Sequence, residues 1–178
     1  MTFKYFSGFS LENEEELFEE YRLDNDFSIS GFSYGAIKAF EYVLSTDIRV
    51  DTLQLFSPAF FQTQDEKFKR MQLMFFKKDS KSYCDNFLKN ISYPDTLDIN
   101  KYFKEGSFDS LSELLTYTWD EKKLEKIVNK GTKIEVYLGG RDKIIDSTSA
   151  KEFFKNYATV YFIKDASHIL KIKKERNE

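Results

Sequence analysis

The stretch "SISGFSYGAIKAF", residues 28–40, holds a Gly-x-Ser-x-Gly pattern: Gly31, Phe32, Ser33, Tyr34, Gly35. Its flanks decide how it is read. Before it, "DFSIS" alternates Phe27 and Ile29 and predicts a strand. After it, "YGAIKAFEYVL" brings Ile37, Phe40 and Leu44 to helical spacing and predicts a helix over 34–44. A serine on a sharp strand-to-helix turn is held with its hydroxyl exposed at the strand end, and the flanking glycines permit close packing. A glycine-rich turn without chemistry would show the same letters, so the rest of the chain must discriminate.

Working outward, "FKYFSG" (3–8), "VDTLQLFSP" (50–58), "KIEVYLGG" (133–140) and "TVYFIKD" (159–165) read as further strands. "LENEEELFEEY" (11–21) reads as a helix with an acidic outer face, and "STSAKEFFKNY" (147–157) as a helix capped by Ser147. "SHILKIKKERNE" reads as a closing helix. Residues 60–130 carry helical signals only. Strands alternating with helices predict an α/β fold: a mainly parallel sheet of about five strands, flanked by helices and covered on both faces. The 178 residues fit one domain, with 60–130 as a helical cap inserted in it. In such sheets, sites gather at the C-terminal strand ends. Gly8, Ser33, Asp142 and His168 all fall there.

Composition narrows the function class. The net charge of −3 argues against nucleic acid as a bulk electrostatic partner. The single cysteine, Cys84, excludes an internal disulfide and fits a reducing compartment. No signal-peptide pattern opens the chain, and no apolar run approaches the roughly 20 residues of a membrane span, so a cytoplasmic protein is expected. Nineteen Phe and eleven Tyr point to an aromatic core.

A serine hydroxyl becomes a nucleophile only with a base to take its proton and a carboxylate to orient that base. His168 is the only histidine, and it lies beyond the last strand in "DASHIL". Asp142 follows the strand "EVYLGG" just past Arg141, with Asp146 as the competing acid. The order Ser33, Asp142, His168 matches one known order of such triads. Two N–H donors must also face the developing oxyanion. Tyr34, after the nucleophile, and Phe9, in the loop after the first strand, are the candidates.

Gly31 to Gly35, Asp142 and His168 together resemble the α/β-hydrolase superfamily. "FSGF" at 6–9 looks like its oxyanion-loop motif, with Ser7 where a His is usual. The two strands that lead the usual fold are missing, and the interval from Phe9 to Gly31 leaves no room for the additional strand–helix pair. This reduced form is similar to the short pimelyl-[acyl-carrier protein] methyl ester esterases of biotin synthesis, the BioV-like family. The resemblance implies hydrolysis of a methyl ester at the far end of a pimeloyl chain held on acyl-carrier protein, without metal or organic cofactor. A small-ester carboxylesterase, an acyl-carrier thioesterase and an inert binding protein of the same fold are the rival readings.

Within the cap, "DEKFKRMQLMFFKKDSK" (65–81) surrounds an apolar run with cations. Lys67, Lys69, Arg70, Lys77 and Lys78 would attract an acidic carrier, and Met74, Phe75 and Phe76 would line an acyl tunnel. An ordinary amphipathic helix accounts for the same pattern. Oligomeric state is not legible.

Overall fold

In the computed structural model, which describes residues 4–173, five strands form one parallel sheet. They are β1 (Lys4–Phe6), β2 (Ser28–Phe32), β3 (Thr52–Phe56), β4 (Lys133–Gly139) and β5 (Thr159–Ile163). They lie side by side in chain order. One row of the register runs Phe6, Gly31, Leu55, Val136, Val160 across the whole sheet.

Parallel neighbours need a crossover, and right-handed crossovers between strands taken in order return on the same side. Helices α1 (Tyr34–Ser45), α5 (Glu121–Asn129) and α6 (Ser147–Phe154) accordingly pack into one core with the apolar residues of one sheet face. Leu53, Leu55, Val136 and Leu138 meet Ile37, Phe40, Ile127 and Phe154 there. Alternate residues turn to the second face. There Phe32, Phe56 and Tyr137 pack with Phe18, Ile169 and Leu170. Phe18 stacks on Phe56 with ring centroids 4.8 Å apart.

The segment 11–21 departs from its helical pattern. Only Glu15–Phe18 winds, as a single 3₁₀ turn. Tertiary pairing takes the backbone groups that a helix would need: Leu11 bridges antiparallel to Phe103, and Glu12 N–H donates to the Tyr102 carbonyl at 2.8 Å. Ser10 and Asn13 turn the chain at φ 57° and 58°. Glu14, read as part of an acidic outer face, is fully buried.

Helices α2 (Glu66–Lys78), α3 (Ser80–Ser92) and α4 (Phe108–Thr116) are inserted between β3 and β4. Asp65, Asp79 and Ser107 cap them by accepting a backbone N–H three residues on. Each such cap contributes about 1 kcal/mol. The fourth helix of the 60–130 block, α5, packs on α1 and β4 instead. In α6 the cap is Asp146, not Ser147: its carboxylate reaches the Ser149 N–H at 3.0 Å, while Ser147 is already helical.

β5 closes at Ile163, two residues before the strand end read from the sequence, and a turn follows. The expected closing helix is not formed over 167–173, and its remainder lies outside the described residues. Ser167 N–H bonds the Lys171 carbonyl, Leu170 takes φ 59°, and Ile169 N–H goes to the Ile91 carbonyl of α3. Burial of Ile169 and Leu170 against the second face outweighs helix formation there. No helix among the described residues is long and apolar enough to cross a membrane.

Phe18 joins the irregular crossover to the sheet through rings on two strands. Phe18→Ala is expected to lower unfolding free energy by about 3–5 kcal/mol, read by urea denaturation. Phe162→Ala, at a position on β5 that is 36% exposed, should fall within about 1 kcal/mol of the parent.

Candidate active site

β2 delivers the chain to Ser33, which takes φ 53° and ψ −113° before α1 begins. This non-glycine residue at positive φ is the strained corner that the Gly-x-Ser-x-Gly pattern predicts. The two glycines are required by space. A Cβ on Gly31 would stand 2.2 Å from the Gly35 carbonyl oxygen, and one on Gly35 would stand 2.0 Å from the Phe6 carbonyl oxygen. The corner is held by backbone bonds to β3 and its loop. Ser33 N–H donates to the Phe56 carbonyl at 2.9 Å, and Ala59 N–H donates to the Ser33 carbonyl at 3.1 Å.

Ser33 occupies the N-cap position of α1, yet its hydroxyl makes no capping bond. It faces His168 instead, with Oγ 3.1 Å from Nε2. His168 Nδ1 lies 2.5 Å from Asp142 Oδ2. The other Asp142 oxygen is occupied, accepting from the N–H groups of Ile144 (2.7 Å) and Ile145 (3.0 Å). Oδ2 therefore accepts the hydrogen bond from Nδ1–H, and Nε2 is left as the acceptor for the serine hydroxyl. The Asp142 and His168 side chains are fully buried. Asp146, the competing acid, is committed to capping α6, and its bonds to Ser149 hold its carboxyl below the usual range.

The site also depends on Ser57, which the sequence reading did not single out. It follows β3 at φ 42° and donates its hydroxyl to the His168 carbonyl at 2.6 Å. Its position just past a strand end was the one available signal. The His168 ring packs against Phe32, with centroids 5.0 Å apart.

Tyr34 is the first residue of α1, so its N–H has no intrahelical acceptor. Its phenol donates to Glu113 of α4 at 2.7 Å. Burial, reinforced by that carboxylate, pushes the phenol up to about 12, so it remains a donor at neutral pH. Phe9 sits in the loop after β1, and its ring packs edge-on to Phe76 and Phe87 of the cap.

Ser33 and Phe9 open onto a cavity of about 640 Å³ under the inserted helices. That volume suits a small organic ligand. Its walls are largely apolar: Phe61, Phe68, Phe75, Leu111, Leu114 and Leu115. The polar groups include Asn86, Asn90, Lys78 and Lys143. The α4 leucines were legible in sequence only as helical packing.

The structure divides the cap residues singled out from sequence. Phe75 and Lys78 line the cavity. Phe76 does not; it is buried in the core against Phe9 and Tyr83. Met74 is more than half exposed and stands outside the cavity lining. Lys67, Arg70 and Lys77 are exposed, whereas Lys69 is folded back onto Glu66 with little of its side chain in solvent.

No protein-family model and no curated protein sequence matches the chain. Solved structures do. A carboxylesterase of the ammonia-oxidizing thaumarchaeon Nitrososphaera gargenis superposes with a TM-score of 0.54 at 14% identity, over 79% of this chain and 57% of its own. A bromoperoxidase from Bacillus anthracis gives 0.63 at 18% identity, over 87% and 64%. BioG from Haemophilus influenzae gives 0.60 at 15% identity, over 94% of this chain and 88% of its own. The chain thus spans little more than half of the carboxylesterase but most of BioG. The fold is the α/β-hydrolase fold in reduced form.

Because the Phe6 carbonyl leaves no room at Gly35, Gly35→Ala should destabilise the protein by about 2–3 kcal/mol. A thermal melt unchanged from the parent would show that the corner relaxes freely.

Proposed function

We propose that the chain is a serine carboxylesterase whose nucleophile is Ser33, with His168 as its base and Asp142 as the acid that orients the base. The observation that carries this reading is the continuous hydrogen-bonded line from Ser33 Oγ through His168 to Asp142 Oδ2, at the edge of an apolar cavity. The carboxylesterases among the proteins of similar fold lend it support.

Each step uses a group already in place. His168 Nε2 accepts the Ser33 proton as Oγ attacks the ester carbonyl. The Tyr34 and Phe9 N–H groups receive the oxyanion. The imidazolium, held by Asp142, protonates the departing alcohol. Water then enters, gives a proton to the same nitrogen and attacks the acyl-serine. Collapse releases the acid and returns Ser33 to its starting state.

The substrate we propose is the methyl ester of a pimeloyl chain carried on acyl-carrier protein, with methanol and the free ω-carboxylate as products. Two features support it. The exposed wall of the cavity is mostly apolar, as an alkyl chain requires. Above it, α2 exposes Met71, Met74 and Phe75 among Lys67, Arg70, Lys77 and Lys78, a cationic and apolar face fitted to an acidic carrier. The near-complete overlap with BioG is in keeping with this reading.

Ser33→Ala should lower ester turnover by at least about a thousandfold with little change in melting temperature. Retained turnover in that variant would sink the assignment of Ser33 as nucleophile, and a parent protein that a fluorophosphonate does not label at Ser33 would favour an inert binding protein. Mass spectrometry of the acylated carrier then identifies the ester. Loss of one methylene mass with the carrier still acylated is methyl-ester hydrolysis; free carrier is thioesterase activity; no reaction on the carrier but turnover of short esters is a general carboxylesterase. Reversing charge in Arg70→Glu should raise KM for the carrier-bound substrate by about tenfold while leaving a small soluble ester unaffected.

A further inference from the structure

Glu14 opens the acidic run Glu14, Glu15, Glu16, yet its side chain is wholly withdrawn from solvent. A carboxylate in that position is costly unless its bonds serve a purpose. Glu14 Oε1 accepts two hydrogen bonds, from the Gly8 N–H at 2.7 Å and from the Tyr5 hydroxyl at 2.9 Å. Burial pushes its carboxyl above the usual range, with the Gly8 N–H working against that shift.

The Gly8 amide is the peptide immediately before the one that carries the Phe9 N–H. The next plane is fixed as well. The Gly8 carbonyl, which shares its peptide unit with the Phe9 N–H, accepts from Leu11 N–H at 3.3 Å. Two consecutive peptide planes are therefore pinned, one by a side chain and one by the backbone of the same loop. Beyond Phe9 the loop is held from the cap, where Ser10 Oγ accepts from Gly106 N–H and lies 3.4 Å from Cys84 Sγ. A peptide plane next to a glycine turns easily unless something holds it. An oxyanion donor is useful only if its direction is set before the charge develops.

We infer that Glu14 is a positioning residue for the oxyanion hole: its buried carboxylate, gripping the Gly8 N–H beside β1, fixes the direction in which the Phe9 N–H is presented to the reacting carbonyl. The inference rests on the esterase reading of Ser33. It assigns Glu14 no contact with substrate. Its effect belongs to the transition state, where the oxyanion exists, rather than to binding of the ester.

The test measures p-nitrophenyl butyrate turnover and inhibition by an alkyl trifluoromethyl ketone, whose serine adduct carries an oxyanion. In Glu14→Ala, kcat should fall about tenfold to a hundredfold and the inhibitor constant should rise in step, with KM within about twofold of the parent. Glu14→Gln keeps an oxygen that accepts both bonds and should stay within about threefold of the parent in kcat. Should Glu14→Ala fail to fold, Glu14→Asp retracts the acceptor from Gly8 while keeping the charge, and it should show the same loss in kcat. Parent-like kcat in the Ala or Asp variant, a loss confined to KM or melting temperature, or equal damage in Glu14→Gln would overturn the inference. A parent protein that neither turns over the ester nor labels at Ser33 removes the esterase reading itself, and this inference with it, a result distinct from any difference between variants.

Discussion

At Ser33 the backbone leaves β2 with φ 53° and ψ −113° and enters α1 within one residue. A non-glycine residue in that region costs about 1–3 kcal/mol and persists only where its surroundings over-determine it. Here they do. Gly35 lies so close to the Phe6 carbonyl that a Cβ would overlap it, which fixes α1 against β1. The Ser33 amide is tied to the end of β3, and its carbonyl to the loop beyond. The rest of the site is assembled around this corner.

A parallel sheet in chain order brings the C-terminal ends of all five strands to one edge. The loops that leave those ends are then bonded to one another. Ser57, past β3, holds the carbonyl of His168, which follows β5. Asp142, past β4, uses one oxygen to close its own turn and offers the other to His168. Glu14, between β1 and β2, holds the loop that leaves β1. The two contacts to His168 are short in space but span 111 and 26 residues of sequence, so they exist only when the sheet does. The buried polar groups on the second face serve the same end. Gln54 of β3 bonds Leu23 N–H and the Tyr21 carbonyl and so anchors the irregular crossover between β1 and β2.

The inserted helices answer a different requirement. α2, α3 and α4 face the strand ends with phenylalanines and leucines, and they enclose a space whose floor includes Ser33. An apolar enclosure lowers the local dielectric and strengthens every interaction along the Ser33–His168–Asp142 line. The outer surface of α2 combines exposed methionines with lysines and an arginine, although the chain as a whole is acidic. In the proposed function, binding falls to the inserted helices and chemistry to the strand ends.

How much of this was legible in the sequence follows from the range of the forces involved. The strand–serine–helix passage at 28–44 could be read directly, because elbow geometry is a local demand on glycines and hydrophobic spacing. The four other strands were legible for the same reason, as were the helices of the 60–130 block. The segments 11–21 and 167–173 were not: both have helical spacing, but their backbone groups bond to Phe103, Tyr102 and Ile91, and no periodicity encodes such distant partners. Glu14 was illegible for a related reason. In a run of acids every member looks solvated, and only folding selects the one that is buried. By itself, then, the sequence determined the five strands, the helices from α1 to α6 and the candidates Ser33, Asp142 and His168, since periodicity, turn chemistry and chain order are local or ordinal properties. Only the tertiary structure decided that Asp142 rather than Asp146 meets the histidine, that Phe76 faces the core rather than the cavity, and that Glu14 and Ser57 hold the loops. Those outcomes depend on which chain segments the packed sheet brings within hydrogen-bonding distance.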